Sequence, residues 1–327
     1  MDKAKLTDIR TQLIDRRWRL ERAIDESKED TRLVSLLQEV DLALDRVANG
    51  TYGMCKTCNE PIEEDVLVAD PLVCFCLDHL DAEQQRALEH DLKLASRIQA
   101  ALLPENGLKK GEWRVHYHYE PAGLVSGDYC DLVAFEGDDG GLLFVVGDVS
   151  GKGVAASMLM SHLHAVFHSL AAFDLPVNQL VERASRLLCE STMSSHFATL
   201  VCGRAGNDGT VEISNAGHLP PLLFHGDEVI RLEATGLPAG VLCKAPYSVR
   251  KVSLDRGDRL VLYTDGLSEA TSGDLEYGEE RISQLALRHA GLSPEELVAA
   301  YVEDLNTFTS GSARQDDLTI LVIQRAS

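Results

Sequence analysis

Gly141-Leu-Leu-Phe-Val-Val-Gly-Asp-Val-Ser-Gly-Lys-Gly153 carries an apolar run straight into an aspartate and then into a glycine-punctuated turn. The run Leu142–Val146 is continuous, as a buried strand requires, and residues 153–172 read as the helix that follows. Asp148 therefore stands where a strand leaves the core, a costly place for a carboxylate unless something neutralises it. Three more acids stand in the same kind of place. Gly127-Asp128 lies within Ser126-Gly-Asp-Tyr-Cys-Asp131, Asp265-Gly266 ends Arg259-Leu-Val-Leu-Tyr-Thr264, and Asp316-Asp317 opens Leu318-Thr-Ile-Leu-Val-Ile323. One such aspartate caps a turn. Four of them, each beside glycine or another aspartate, favour hard divalent cations held by oxygen. Two ions of that kind suit phosphoryl transfer to water: they acidify the water, offset the charge of the phosphate and align it for in-line attack. The chain has neither a Gly-x-Ser-x-Gly nucleophile turn nor a P-loop, which agrees with an activated water.

Around this stretch the pattern is mixed. Trp113-Arg-Val-His-Tyr-His-Tyr119 alternates as a strand does, and residues 176–192 read as a second helix after 153–172. Strand patterns follow at 197–203, 209–214, 220–225, 228–233, 247–254 and 258–263, then helices at about 278–290 and 294–308. Short turns such as Asn207-Asp-Gly209 and His225-Gly-Asp227 imply antiparallel pairing. Helices come in pairs and do not alternate with strands, so the fold class is α+β.

Upstream, residues 3–25 place Leu6, Ile9, Leu13, Leu20 and Ile24 near a 3.6 period. After the polar break Glu26–Asp30, Leu33, Leu36, Leu37, Val40, Leu44 and Val47 repeat it. The two helices predict an antiparallel hairpin, ended by Asn49-Gly50. A further helix over 81–103 sets Leu88, Leu92, Ala95, Ile98 and Leu102 on one narrow face and stops at Pro104. That face either packs on its own domain or joins a second copy into a homodimer. The expected domains are 1–80, a linker helix over 81–105, and 106–327.

Four of the eight cysteines crowd between Cys55 and Cys76. Cys55 and Cys58 form C-x-x-C, and Cys76 with His79 forms C-x-x-H, the four ligands a tetrahedral structural zinc takes, with Cys74 as an alternative. Such a closed site holds a fold and leaves no position for chemistry. Cys130, Cys189, Cys202 and Cys243 are scattered among apolar residues and read as buried thiols in a reducing compartment.

The net charge is -21 and is spread along the chain: residues 1–105 hold 22 acidic against 14 basic side chains, and residues 106–327 hold 30 against 17. Both parts repel a phosphate backbone, which argues against a nucleic-acid partner. No run of about 18 apolar residues predicts a spanning helix. The start Met-Asp-Lys-Ala-Lys-Leu lacks the apolar stretch of a signal peptide, and the expected location is the cytoplasm without membrane association.

Five motifs, in order, resemble those of the PPM (type 2C) phosphatases, most closely their bacterial SpoIIE/RsbU branch, over about residues 106–327. They are Glu120-Pro-Ala-Gly-Leu-Val-Ser-Gly-Asp-Tyr-Cys-Asp131, Gly147-Asp-Val-Ser-Gly-Lys-Gly-Val-Ala-Ala156, Asn215-Ala-Gly-His-Leu-Pro-Pro221, Tyr263-Thr-Asp-Gly-Leu-Ser-Glu-Ala270 and Gln315-Asp-Asp-Leu-Thr319. The helix Ala95-Ser-Arg-Ile-Gln-Ala-Ala-Leu-Leu-Pro104 also resembles that branch's regulatory linker. The resemblance implies an α-β-β-α sandwich and a protein serine/threonine phosphatase with two Mn2+ or Mg2+ ions. It implies that Asp148 bridges both ions, that the Val149 carbonyl binds one, and that Asp128, Asp265 and Asp316 complete the other. Asp131 and Asp317 are the second choices. Lys152 stands where the family often has histidine, Cys130 where it often has an aromatic, and His218 is a marker to which only a turn-stabilising part is given. The usual substrate of the branch is a phosphorylated STAS-domain anti-anti-sigma factor.

Ala43-Leu-Asp-Arg-Val-Ala-Asn-Gly-Thr-Tyr-Gly-Met-Cys-Lys-Thr-Cys58 resembles the entry to the DksA/TraR zinc finger, and that likeness extends over about residues 1–80. It departs at His79, where the family usually has a fourth cysteine. Members of that family bind RNA polymerase through the hairpin. A binding protein that docks a polymerase or another regulator, with the phosphatase fold as scaffold, is therefore the alternative function.

Overall fold

Ile9, Leu13 and Leu20 of helix α1 (Lys3–Ser27) and Val40 and Ala43 of α2 (Thr31–Ala48) are buried in one cluster. The computed structural model describes residues 3–27, 31–76, 82–135, 141–191 and 196–326. It divides the chain into two units, Met1–His90 and Asp91–Ser327. In the first, α1 packs along α2, and Tyr52, Cys55, Ile62 and Leu67 of the segment that holds α3 (Glu64–Ala69) complete the core. His79 lies outside the described residues.

Helix α4 (Ala82–Leu102) agrees with the predicted helix over 81–103, but its buried side is rotated. Of the expected stripe, Leu92, Ala95 and Leu102 are half-buried, whereas Leu88 and Ile98 are exposed. Among the described side chains of this helix, the most deeply buried is a polar one, Gln99.

The second unit takes in the end of α4 and continues with β1 (Lys109–Lys110), β2 (Trp113–Glu120), β3 (Asp128–Ala134) and β4 (Leu142–Val149), then α5 (Gly153–Ala171) and α6 (Val177–Ser191). Next come β5 (Ala198–Ala205), β6 (Thr210–Ala216), β7 (Leu222–His225), β8 (Glu228–Arg231), β9 (Arg250–Ser253) and β10 (Arg259–Tyr263). The chain then forms α7 (Asp265–Ser268), the small pair β11 (Thr271–Ser272) and β12 (Leu275–Glu276), α8 (Gly278–Arg288), α9 (Pro294–Phe308) and β13 (Leu318–Arg325). The strands build one sheet in the order β1-β2-β13-β10-β7-β8 and another in the order β3-β4-β5-β6-β9.

Strand alternation fixes the layers. In β4, Phe144 and Val146 point between the sheets, where they meet Val115, Leu262 and Leu321. Leu143 and Val145 point the other way, into a layer made by Met160, Leu163 and Phe167 of α5 and Leu180 of α6. The first sheet is covered in the same manner: Val261, Ile320 and Val322 bury against Ile282 of α8 and Leu297 and Tyr301 of α9. Burial on both faces explains the unbroken apolar run of β4, since neither side of the strand meets water. The result is the α-β-β-α sandwich expected. By length and composition α5 could cross a membrane, but its row Ala156, Met160, Leu163 and Phe167 is core, packed on β3, β4 and α6.

Two expectations change. Cys189 and Cys243 are not buried thiols: they form a disulfide that ties α6 to the segment before β9. Both lie near the surface, and their Cα atoms, 5.2 Å apart, are within bridging range. Cys130 and Cys202 are buried and unbridged, as read. The second change is β3, absent from the predicted strands because Asp128 and Asp131 interrupt both alternation and hydrophobicity.

Candidate active site

Asp128 and Asp148 face each other across the β3–β4 ladder, at one end of the second sheet. The first sheet contributes the other two acids. The end of β10 pairs with the start of β13, Tyr263 opposite Ile320, so Asp265 and Asp316 emerge side by side. Gly266 makes that approach possible: a Cβ there would lie 2.0 Å from the Asp317 carbonyl oxygen, which no side chain survives.

Crowding shows in the charges. Burial, then Asp265, Asp316 and Asp317, push the Asp148 carboxyl up to about 7. Burial and Asp316 raise Asp265 as well. Asp128 is almost fully enclosed, and burial above all holds it well above the usual carboxylate range. One of its oxygens, Oδ2, accepts hydrogen bonds from Thr319 at 2.6 Å and Thr264 at 2.8 Å. The other, Oδ1, is buried with no hydrogen-bond partner. An orphaned buried carboxylate oxygen beside three further acids is what a hard cation would satisfy, so the donor set fits Mg2+ or Mn2+. Lys152 supplies a positive charge here, donating to Asp316 at 2.8 Å.

The second-choice aspartates have other partners. Both Asp317 oxygens accept backbone N–H groups, from Ala122 and Gly127, each at 2.8 Å, which pins the loop leading into Asp128. Asp131 lies on the opposite face of β3, towards α5. The Asp316 charge raises both Asp148 and Asp265, and Asp317 adds to the effect on Asp148. The Asp148 and Asp317 charges add to the effect of burial on Asp128.

Sequence reasoning missed the groups that hold the acids. Thr264, just past the end of β10, and Thr319 of β13 clasp Asp128 of the second sheet. Gln99 of α4 pairs with the backbone of Ser126 in both directions, at 2.7 and 2.9 Å, while the Ser126 hydroxyl accepts from the Asp128 N–H. They lie inside the quoted motifs and the helix Ala95–Pro104, but hydroxyls and amides carry no spacing rule that gives them a role. His218 has the turn-stabilising place expected. Asn215 brackets its backbone, and its buried ring bridges Thr199 of β5 and the Tyr263 carbonyl of β10.

A cavity of about 180 Å³ opens beside these acids, lined among others by Lys152, Asp265, Glu269, Arg314 and Asp316. In the N-terminal unit the sulfurs of Cys55, Cys58 and Cys76 lie within 4.8 Å of one another, and Cys74 is not among them. Burial raises the Cys55 thiol, but the N–H groups of Cys58, Cys76 and Thr57 outweigh it and bring it down to about 6.

Comparison with known proteins places this geometry. The family model of Stage II sporulation protein E (SpoIIE) matches residues 138–326. The chain belongs to the SpoIIE family. Relatives include Protein IcfG of Synechocystis, 26% identical over 72% of this chain, and the phosphoserine phosphatase RsbU of Bacillus subtilis, 24% identical over 74%. The chain spans 41% of IcfG and 72% of RsbU. Among solved structures, the RsbU and RsbW domains of a Mycobacterium tuberculosis protein are 31% identical over 65% of this chain and 60% of that one, with a TM-score of 0.58. The SiaA-PP2C domain of Pseudomonas aeruginosa, 22% identical, covers 75% of this chain and 99% of its own with a TM-score of 0.65, which establishes the shared fold. The SpoIIE-family unit is a metal-dependent protein serine/threonine phosphatase domain of the PP2C type.

Proposed function

We propose that this domain removes phosphate from phosphoserine or phosphothreonine on a regulatory protein, an anti-anti-sigma factor of the STAS type. Asp128, Asp148, Asp265, Asp316 and the Val149 carbonyl would hold two Mn2+ or Mg2+ ions, with Asp148 shared. The observation that carries this is the convergence of four aspartates from both sheets at one end of the sandwich, with one buried oxygen of Asp128 left unpaired. When bound, such a pair of ions supplies positive charge that acidifies a water and offsets the phosphate. The chain's own residues do the placing. Thr264 and Thr319 fix the Asp128 carboxyl, Asp317 fixes the loop before it, and Lys152 adds a charge that attracts the phosphate group. The cavity is smaller than those that enclose drug-sized ligands, which favours a phosphorylated side chain presented by a larger molecule. The relatives RsbU and RsbP of Bacillus subtilis, both named phosphoserine phosphatases, support the same substrate class.

Asp148→Asn tests the reading. The variant should fold as the parent does and lose nearly all Mn2+-dependent turnover of a phosphoprotein. Turnover near that of the parent would refute the shared-ligand role. Chelation should abolish activity in the parent, and added Mn2+ should restore it.

Two further parts belong to this proposal. Cys55, Cys58 and Cys76, with His79 as the fourth ligand, hold one structural zinc in a DksA/TraR-like finger. The Cys58–Cys76 sulfur separation of 3.8 Å supports it, since tetrahedral Zn–S bonds of ~2.3 Å set sulfurs about 3.8 Å apart. A homodimer forms through α4; since Leu92 and Leu102 of the face read from the sequence are half-buried, the row offered is Ala87, Leu94, Ile98 and Ala101, which is exposed and apolar.

A further inference from the structure

His164 and His168 stand one turn apart on α5 and turn their rings towards a single carboxylate, Asp131 of β3. Alternation along β3 separates this place from the aspartates described above. Cys130, on the side of Asp128, lies in the core between the sheets, whereas Tyr129 lies with Asp131 in the layer under α5. Asp131 is 2% exposed. Its Oδ1 accepts the Leu132 N–H, and its Oδ2 accepts the Tyr129 hydroxyl at 3.0 Å. The same Oδ2 lies 2.8 Å from His168 Nδ1 and 3.6 Å from His164 Nδ1.

An ordinary carboxylate–imidazole pair needs one histidine, and His168 fills that part. His164 is left over. At 3.6 Å its Nδ1 is too far for a hydrogen bond, yet the atom is buried and has no partner. Burial lowers the His164 ring below its usual range, so a neutral imidazole with a lone pair to give is the state at neutral pH. The two rings lie with centroids 4.3 Å apart, and the three donor atoms all fall within 4.8 Å of one another. Tetrahedral zinc with bonds of ~2.05 Å wants donors about 3.3 Å apart, between the two separations observed.

The geometry points to a third metal site, held by Asp131, His164 and His168, for a borderline divalent transition ion of the zinc class. Two imidazoles and one carboxylate are the wrong donors for Mg2+ and suit zinc, cobalt or nickel. Tyr129, which donates to the ligating carboxylate, orients it as outer-shell partners do. The exposed side of His168 gives the ion its entry path and leaves room for a water as the fourth ligand. Nothing in this assignment depends on the phosphatase reading. Its consequence touches the catalytic end all the same. The ion would fasten α5, which begins four residues after Val149, to β3, which begins with Asp128.

The test is a zinc count on the full chain, kept in excess Mg2+, exposed to micromolar Zn2+, desalted and measured by elemental mass spectrometry. His168→Ala is the principal variant, because its half-exposed side chain can be removed without emptying the core; His164→Ala is the second. Each should hold one zinc fewer than the parent. Asp148→Asn and Cys55→Ser serve as references, since they alter the catalytic acids and the finger but should keep this zinc. Cobalt substitution adds an independent reading: the parent should show a visible absorption band that His168→Ala lacks and Cys55→Ser retains. Equal zinc content in the parent and His168→Ala, with equal cobalt spectra, overturns the site.

Discussion

Between pH 3.8 and about 7 the folded protein keeps a proton on Asp148 that an unfolded chain gives up, because burial and the Asp265, Asp316 and Asp317 charges raise that carboxyl. Where the folded state binds the extra proton, stability falls as pH rises. A divalent cation reverses the balance by replacing the proton. The rise in Tm on adding Mn2+ should therefore be larger at pH 8 than at pH 6, and Mn2+ binding should weaken about tenfold per pH unit below 7. Equal shifts at both pH values would count against Asp148 as a ligand. His218 behaves in the opposite sense. Burial holds its ring down to about 4, so its contribution is complete above pH 6.5 and is lost as pH falls towards 4. That loss is of order 3 kcal/mol by linkage, and His218→Asn should flatten the pH dependence of the denaturant midpoint over that window. Glycine and aspartate neighbours made the four acids readable in the sequence. Thr264 and Thr319 were not readable, because a threonine in a strand is ordinary until its partner across the sandwich is known.

Gln99 shows how one element reaches the site through another. Its amide satisfies both the N–H and the carbonyl of Ser126, and that loop feeds directly into Asp128. Gln99→Leu would leave two buried backbone groups unpaired at about 1–3 kcal/mol each. The expected outcome is severalfold weaker Mn2+ activation with α4 still helical by circular dichroism. Unchanged Mn2+ activation would mean that the loop holds itself. The helix was legible as a helix, but its buried side was not. Counting apolar residues put Ile98 inward, whereas the structure spends that side on a polar contact that hydrophobicity cannot reveal. Strands β4, β10 and β13 were plain because both of their faces are dry. Strand β3 escaped notice because its two acids depend on partners on α5, on β13 and just past β10.

At the scale of the molecule, the row Ala87, Leu94, Ile98 and Ala101 repeats nearly every seven residues along α4, which suits pairing with a second copy. Leu94 and Ile98 are 49% and 55% exposed, enough that replacing both by aspartate should leave each domain folded. The double variant should sediment at half the mass of the parent at micromolar concentration. A parent that already sediments as a single chain removes the dimer. The connectivity of the first sheet has a different kind of consequence. Strand β13 is the last in sequence yet lies between β2 and β10, and Asp316 comes just before it. While the chain is still being made, that sheet therefore has an open seam down its middle and the aspartate cluster lacks a member. A nascent chain of this protein cannot close that sheet, or bring Asp316 to the other aspartates, before synthesis has passed residue 325.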